Sequence, residues 1–153
     1  MKIALFPGTF DPFTLGHYSI VERALPLFDR IVVAVGVNNQ KRTLFSEEER
    51  LDCIRSLYCG NDRVDVVSYN GLTVDAARNC GAQFIVRGVR MIQDFEYEKN
   101  LAVVNRELTG IETVFLYTLP ELGHVSSSIV RELISYGKDV TDLLPRGMVL
   151  PKR

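Results

Sequence analysis

The sequence has no excess of charge of either sign. Its 18 lysine and arginine residues are balanced by 19 aspartate and glutamate residues, for a formal net charge of -1 over 153 residues. Because general binding to nucleic acid depends on a broad basic surface, this balance argues against a nonspecific nucleic-acid binder. Any anion that the protein binds is therefore expected to be held by a local cluster of donors.

Cysteines and long apolar runs are also scarce. The three cysteines, Cys53, Cys59 and Cys80, are odd in number and form no C-x-x-C pair. This pattern disfavours a disulfide framework or a zinc site and favours a reducing, cytoplasmic location. The first apolar run breaks at a Pro-Gly pair and is too short for a signal-peptide core. The apolar stretch at 31–37 is far shorter than the roughly 20 residues that cross a bilayer.

The motifs of several well-known catalytic sites are missing as well. The glycines do not form the G-x-G-x-x-G pattern of a dinucleotide site or the G-x-x-x-x-G-K-[ST] pattern of a P-loop. There is no obvious Ser-His-Asp or Cys-His arrangement, so a covalent intermediate on the protein is not expected. No dedicated cluster of metal ligands is evident either, so no residue is predicted to bind a metal directly.

What the sequence does contain is an alternation of two hydrophobic periods. Continuous apolar or β-branched runs predict buried strands, and apolar residues at helical spacing predict the helices between them. The strands are predicted at 3–6, 31–37, 63–68, 83–86 and 111–116. The helices are predicted at 16–28, from Ser46 onward, and at 72–79, 94–108 and 126–136.

This alternation predicts an α/β fold with a single doubly wound five-stranded parallel sheet, in one domain over residues 1–153. The sequence predicts two helix boundaries at the level of single residues. Pro26 is expected to kink the first helix or end it near Leu25. Ser46 and Glu49 have the spacing of a capping box.

Polar residues and glycines cluster where the predicted strands end. A doubly wound sheet binds its ligands outside the carboxyl ends of its strands, so these residues are the candidates for chemistry. The first cluster runs from Gly8 to His17, between the first strand and the first helix. Glycine lets backbone amides approach an anion, and a helix N-terminus favours negative charge. His17 could instead be a partly buried structural histidine, because it shares a helix face with Ile20 and Val21.

Two further clusters follow the second and fifth strands. Lys41 and Arg42 are either a cationic arm that reaches phosphates or two solvated loop residues. Ser126, Ser127 and Ser128 open a predicted helix and supply hydroxyls together with free backbone N–H groups. One serine would be explained as a helix cap, whereas three favour an anion cradle.

The last cluster follows the fourth strand. Arg87 and Arg90 flank a glycine, and their planar guanidinium groups suit phosphate. Asp94 and Glu98 share a face of the next helix and could pair with these arginines in a purely structural ion-pair network.

Two of these runs resemble the signatures of a known superfamily. The run G-T-F-D-P-F-T-L-G-H, with its T-x-G-H ending, resembles the H-x-G-H signature of the nucleotidylyltransferases. The run S-S-S-I-V-R resembles their second signature, I-S-S-[ST]-x-x-R. The R-G-V-R run, the segment Asp94–Glu98 and the chain length further resemble the branch that acts in coenzyme A synthesis. The resemblance covers essentially the whole chain and implies a Rossmann-like nucleotidylyltransferase fold.

The resemblance also implies a reaction and an assembly. AMP would move from ATP to 4′-phosphopantetheine, giving dephospho-coenzyme A and pyrophosphate, with Mg²⁺ arriving with ATP, in a homohexamer. The implied catalytic residues are His17, Lys41 and Arg90. The implied acceptor contacts are Thr9, Lys41, Thr73 and Arg87. The implied ATP contacts are Thr9, Phe10, His17, Gly88, Val89, Arg90, Glu98, Leu122, Gly123, His124, Val125, Ser126, Ser127 and Ser128.

The residue types agree with a direct in-line displacement. The acceptor phosphate is already an anion at neutral pH, so the reaction needs no general base. It needs positioning and charge stabilisation at the α-phosphorus, which His17, Lys41, Arg90 and the amides of the serine run could supply. Two alternatives remain: a related enzyme that acts on nicotinamide mononucleotide or glycerol 3-phosphate, and a non-catalytic adenine-nucleotide sensor of the same fold.

Overall fold

Five parallel strands form one sheet, and the computed structural model describes every residue from Met1 to Arg153. The strands are β1 (Ile3–Gly8), β2 (Arg30–Gly36), β3 (Val64–Tyr69), β4 (Phe84–Val89) and β5 (Glu112–Tyr117). Their spatial order is β3-β2-β1-β4-β5, so the direction of winding reverses between β1 and β4. The doubly wound five-stranded parallel sheet predicted from the sequence is confirmed, and its switch point lies beside the Gly8–His17 run.

Five helices connect and follow the strands. They are α1 (Leu15–Ala24), α2 (Glu47–Leu57), α3 (Thr73–Asn79), α4 (Ile92–Thr109) and α5 (Ser127–Ser135). Short 3-10 turns lie at Pro120–Leu122 and Thr141–Leu143. None of the helices is both long and apolar enough to span a membrane.

The core lies on both faces of the sheet but is much larger on one of them. Alternate residues of a strand point to opposite faces, so Ala4 and Phe6 pack on one side and Leu5 on the other. The larger cluster holds 21 buried residues and includes side chains of α1, α2 and α5. The smaller cluster holds nine, among them Val74 and Ala77 of α3.

Helix α4 contributes no buried residue to either cluster. Its predicted apolar side is exposed: the exposed fractions are 70% for Tyr97, 42% for Leu101, 49% for Val104 and 62% for Leu108. The stripe therefore has no partner within this chain.

The local signals at the helix ends are confirmed. Helix α1 ends at Ala24, with Leu25 as its C-cap directly before Pro26. The capping box is present, because Ser46 N–H donates to the Glu49 carboxylate at 2.9 Å and Glu49 N–H donates to Ser46 Oγ at 3.2 Å. Gly110 ends α4 with a φ of 75°, a conformation that glycine adopts without strain.

Strand β4 runs further than the apolar pattern predicted. It continues to Val89, so Arg87 and Gly88 lie inside the strand rather than after it, and α4 begins at Ile92. The reason is backbone pairing, since β4 stays in register with β5 as far as Val89 and Tyr117. Gly88 also allows close packing, because a Cβ there would lie 3.1 Å from Cγ1 of Ile20.

Candidate active site

Two adjoining cavities open at the carboxyl ends of the strands. The larger, of about 500 Å³, is lined by the loop after β1, the first turn of α1, the end of β4, the start of α4 and the N-terminus of α5. The smaller, of about 360 Å³, lies toward β2, α3 and the outer part of α4. Thr9, Arg87 and Glu98 line both cavities, so they form a shared wall.

Most of the predicted site residues line one cavity or both. The larger cavity is lined by Thr9, Phe10, His17, Arg87, Gly88, Arg90, Glu98, Val125, Ser126, Ser127 and Ser128. The smaller is lined by Thr9, Lys41, Thr73, Arg87 and Glu98. The four predicted residues that line neither are Val89, Leu122, Gly123 and His124. Val89 is buried at the end of β4. The other three lie in and just after the 3-10 turn before α5.

The ring of His17 is held in one orientation by the loop before α1. Thr14 N–H donates to His17 Nδ1 at 2.9 Å, and Thr14 Oγ1 lies 3.1 Å from the same nitrogen. Because Nδ1 accepts a hydrogen bond from a backbone N–H, the ring proton resides on Nε2. His17 is therefore both a capping residue and a ring with one N–H left for another partner.

Three aromatic rings enclose His17. Its ring centroid lies 5.0 Å from that of Phe10, 5.4 Å from Phe13 and 6.3 Å from Phe6. Burial of the ring, and to a smaller extent the charges of Arg90 and Arg87, lowers the pKa of His17 from 6.5 to about 3. The imidazole is consequently neutral at physiological pH, which suits a hydrogen-bond donor and not a general acid.

The loop after β1 is tightly packed around Phe10. Phe10 has a φ of 52°, in the left-handed region that side chains rarely occupy. Its ring lies against Gly8, where an added Cβ would come within 2.7 Å of Cε1 of Phe10. Gly8 is thus required for the ring position that encloses His17.

Arg87 uses three of its five N–H donors within the protein, whereas Arg90 is less engaged. Arg87 Nε and Nη2 donate to the two carboxylate oxygens of Glu98 at 2.9 and 2.6 Å, and Nη1 donates to the carbonyl of Pro7 at 2.7 Å. Arg90 makes only a long ion pair with Asp94, at 3.9 Å, and its side chain is 40% exposed. The predicted pairing of both arginines with α4 carboxylates is present, and it leaves Arg90 the freer of the two to bind an anion.

The serine run brings both hydroxyls and backbone N–H groups to the wall of the larger cavity. Ser126 Oγ accepts from the N–H of Ile129 at 3.2 Å, and Ser127 Oγ donates to the carbonyl of Pro12 at 2.8 Å. Ser128 Oγ accepts from Arg131 Nη2 at 3.3 Å. Only the Ser127 hydroxyl donates within the protein, so the hydroxyls of Ser126 and Ser128 each keep an O–H for another partner. These hydroxyls and the free N–H groups of the first turn of α5 could donate to an anion.

Sequence reasoning gave no role to two polar residues at the site, although both lie in the runs that it singled out. Thr14, which is 1% exposed, and Arg131 both line the larger cavity. Arg131 Nη1 donates to the carbonyl of Asp11 at 2.9 Å and so joins α5 to the loop after β1. The T-x-x-H spacing of Thr14 and His17 was a usable signal for a cap. The contact of Arg131 had none, because it joins segments 120 residues apart.

The fold and the cavities at its switch point define an α/β protein built to bind a nucleotide and a second anionic ligand. Residues 5–133 match the cytidylyltransferase-like family model. A phosphopantetheine adenylyltransferase from Bacteroides thetaiotaomicron is 55% identical over 148 residues, covering 97% of this chain and 98% of that protein. Another, from Flavobacterium johnsoniae, is 47% identical over 152 residues, covering 99% of this chain and 100% of that protein. The chain belongs to the cytidylyltransferase-like family and, within it, to the phosphopantetheine adenylyltransferases.

Proposed function

We propose that the protein transfers the adenylyl group of ATP to 4′-phosphopantetheine, forming dephospho-coenzyme A and releasing pyrophosphate. The observation that carries the proposal is the pair of adjoining cavities that share Thr9 and Arg87. Near-full-length relatives that bear this activity in their names support the choice of substrates. We assign ATP to the larger cavity and the acceptor to the smaller.

The transfer is a direct displacement at the α-phosphorus. A phosphate oxygen of the acceptor forms the new bond to phosphorus, and the bond from phosphorus to the leaving pyrophosphate breaks. A pKa of about 3 keeps the imidazole neutral at physiological pH. His17 therefore donates its Nε2–H in a hydrogen bond to an α-phosphate oxygen without acting as a general acid. Lys41 and Arg90 supply positive charge, and the first N–H groups of α5 hold further phosphate oxygens.

We assign Thr73 and Arg87, with Thr9 and Lys41, to the acceptor. Thr73 lies at the start of α3, where its Oγ1 is 3.1 Å from the hydroxyl of Tyr69. The ATP side takes Phe10, Gly88, Val89, Arg90, Glu98 and the segment from Leu122 to Ser128. Of these, Val89 and the residues from Leu122 to His124 line neither cavity. We therefore expect them to position the neighbouring residues that do line the ATP cavity.

We further propose that Mg²⁺ enters as part of the ATP substrate. No group of three or more His, Cys, Asp and Glu side chains could hold the ion. Phosphate oxygens and water would then supply most of its ligands, since Mg²⁺ at nucleotide sites keeps several waters and binds substrate phosphates. The ion would offset charge on the leaving pyrophosphate.

Release of pyrophosphate tests the function directly. ATP with 4′-phosphopantetheine should release pyrophosphate, whereas ATP with pantetheine, which lacks the attacking phosphate, should not. Faster release with nicotinamide mononucleotide or glycerol 3-phosphate would assign the chain to a different acceptor. Calorimetric binding of ATP with no release for any acceptor would instead support a nucleotide sensor.

We propose a homohexamer as the assembly. The support is α4, whose 18 residues include none that is buried and whose apolar stripe is exposed. A surface of this kind is typical of a contact between protein chains. Sedimentation equilibrium should give six times the chain mass, and Leu108→Glu, which places a charge in the stripe, should lower it. A wild-type protein that sediments as a monomer would contradict the assembly.

A cytoplasmic location is also a proposal. Its support is that Cys53, Cys59 and Cys80 are all free thiols, as a reducing compartment keeps them. Fractionation of cells that express the protein should recover it with cytoplasmic markers, and recovery with an oxidising compartment would contradict the proposal.

A further inference from the structure

Arg50 is a buried cation without a carboxylate partner. Its side chain lies on α2 and is 5% exposed, and it forms no salt bridge. Its Nη1 donates to the carbonyl of Thr9 at 2.7 Å and to that of Gly36 at 3.0 Å, while its Nε is buried with no acceptor. Burying a charge is costly unless it is well compensated, so packing alone does not account for an arginine at this position.

Asp11 is the complementary buried anion. It is 4% exposed, and its two carboxylate oxygens accept the backbone N–H groups of Leu44 and Phe45, each at 2.9 Å. Arg131 Nη1 lies 4.0 Å from one of those oxygens. Leu44 and Phe45 precede α2, at the end of the loop that carries Lys41.

The two side chains therefore bind each other's segments. Asp11, from the loop after β1, holds the backbone of the loop after β2. Arg50, which follows that second loop, holds the backbone of the first at Thr9 and the end of β2 at Gly36. We refer to Asp11 and Arg50 with these four hydrogen bonds as the cross-brace.

The cross-brace bears on the acceptor side of the site. Thr9 and Lys41 line the smaller cavity from these two loops. Lys41 itself is exposed, and its N–H donates within the loop to the carbonyl of Asn38 at 2.9 Å. The position of Lys41 relative to Thr9 thus depends on where the two ends of its loop are anchored, at Gly36 and at Leu44 and Phe45.

We propose that Arg50 and Asp11 are positioning residues that set the geometry of Thr9 and Lys41 around the acceptor phosphate. The inference rests on the proposed function, since it assigns the acceptor to the smaller cavity. Displacing a charged donor by about 1 Å can cost roughly a hundredfold in rate, so an indirect effect of this size is physically reasonable.

The test uses Arg50→Lys, which keeps the charge but shortens the side chain and removes the planar fork. We expect the Kd of 4′-phosphopantetheine, measured by calorimetry, to rise about tenfold while the Kd of ATP changes less than about twofold. Arg55→Lys is the matched control, because Arg55 lies on the same helix, is exposed and makes only a 3.9 Å ion pair with Asp52. It should leave both Kd values unchanged.

Asp11→Asn is the second variant, in case Arg50→Lys does not fold. It preserves the shape of the side chain and removes one of the two acceptors. We expect weaker binding of the acceptor, together with faster hydrogen exchange at the amides of Leu44 and Phe45. Because Asp11 also lines the larger cavity, selectivity against ATP is judged from Arg50→Lys alone. Far-UV circular dichroism serves as the folding control.

A double-mutant cycle with Lys41→Ala separates positioning from general stability. If Arg50 acts through Lys41, Arg50→Lys in the Lys41→Ala background should weaken acceptor binding less than about threefold. Additive effects, or equal weakening of ATP and acceptor, would overturn the inference. Failure of the wild-type protein to release pyrophosphate would overturn the proposed function as well, whereas an active wild type with an unaffected Arg50→Lys variant would overturn the cross-brace alone.

Discussion

The two helices that flank the larger cavity differ in how firmly the chain holds them. Helix α1 buries Ile20, Val21 and Ala24 against the sheet, and its first turn is closed by the Thr14–His17 capping box. Helix α4 buries no residue, and its contacts with the sheet include the Arg87–Glu98 pair and the rings of Phe95 and Phe115, 5.6 Å apart. The proposed donor to the reacting phosphate, His17, thus lies on the firmly packed helix, whereas Arg90, the freer cation, lies between β4 and the exposed α4.

The largest effect on turnover should come from substituting His17 in the first turn of α1. His17→Ala removes the Nε2 donor, and losing one donor of this kind typically lowers turnover by about 10²–10³. Turnover should fall far more than ATP affinity, because the hydrogen bond strengthens as charge builds in the transition state. Turnover and calorimetric ATP affinity are measured together.

The folding control for His17→Ala is far-UV circular dichroism. An equal fall in turnover and ATP affinity would make His17 a ground-state contact. Loss of folded structure would instead make it mainly a structural histidine within the aromatic cluster.

Outside both helices, in the loop after β2, Lys41→Ala should lower turnover by about tenfold to a hundredfold with little change in the melting temperature. Lys41 lies in a loop and is exposed, so little packing is lost while charge is lost at the reacting phosphates. Steady-state turnover and thermal unfolding are compared, with Arg42→Ala, the exposed neighbour, as control. Turnover within a few-fold of the wild type would show that Lys41 is only a solvated cation.

Arg87 and Arg90 lie three residues apart at the end of β4, and their substitutions should have different effects. Arg87→Ala should chiefly weaken the acceptor and also destabilise the fold by about 1–3 kcal/mol, because Glu98 loses its bidentate partner. Arg90→Ala should chiefly weaken ATP or turnover, with little loss of stability. Saturation curves for each substrate and chemical denaturation distinguish the two, and equal effects on both substrates in both variants would indicate a shared ion-pair network.

A change of pH near neutrality should have the smallest effect, because it should not change the protonation state of His17. The pKa of His17 is lowered from 6.5 to about 3, chiefly by burial. The ring should therefore show no titration by nuclear magnetic resonance between about pH 5 and about pH 8, with Nε2 as the protonated nitrogen. A ring that titrates in this window would contradict the neutral-donor role.

The lowered pKa of His17 also predicts how the free energy of unfolding changes with pH. Between pH 6.5 and about 3 the unfolded chain binds a proton at His17 that the folded protein does not. The contribution of His17 to the free energy of unfolding is fully present above pH 6.5 and is lost as the pH falls toward 3. Urea denaturation of His17→Gln should show a weaker fall in unfolding free energy over this range than the wild type.

Local chemistry made much of the fold and part of the site predictable. The apolar runs and helical stripes predicted all five strands and five helices, since the period of the apolar residues depends on residue order alone. The Ser46–Glu49 box and the stop before Pro26 involve groups a few residues apart, so their spacing was enough. The clusters at Gly8–His17, Arg87–Arg90 and Ser126–Ser128 were found because strand ends of a doubly wound sheet converge on one edge.

Other features were decided only by tertiary structure. The sequence by itself determined the number, the order and the approximate positions of the strands and helices, and the polar runs near the strand ends. The three-dimensional fold decided that Arg50 binds the carbonyl of Thr9, 41 residues away, and that Asp11 binds the N–H groups of Leu44 and Phe45. It also left α4 without a buried face and placed three aromatic rings around His17. The physical reason is that backbone donors and acceptors are the same at every residue, so a side chain's distant backbone partner leaves no pattern in the sequence.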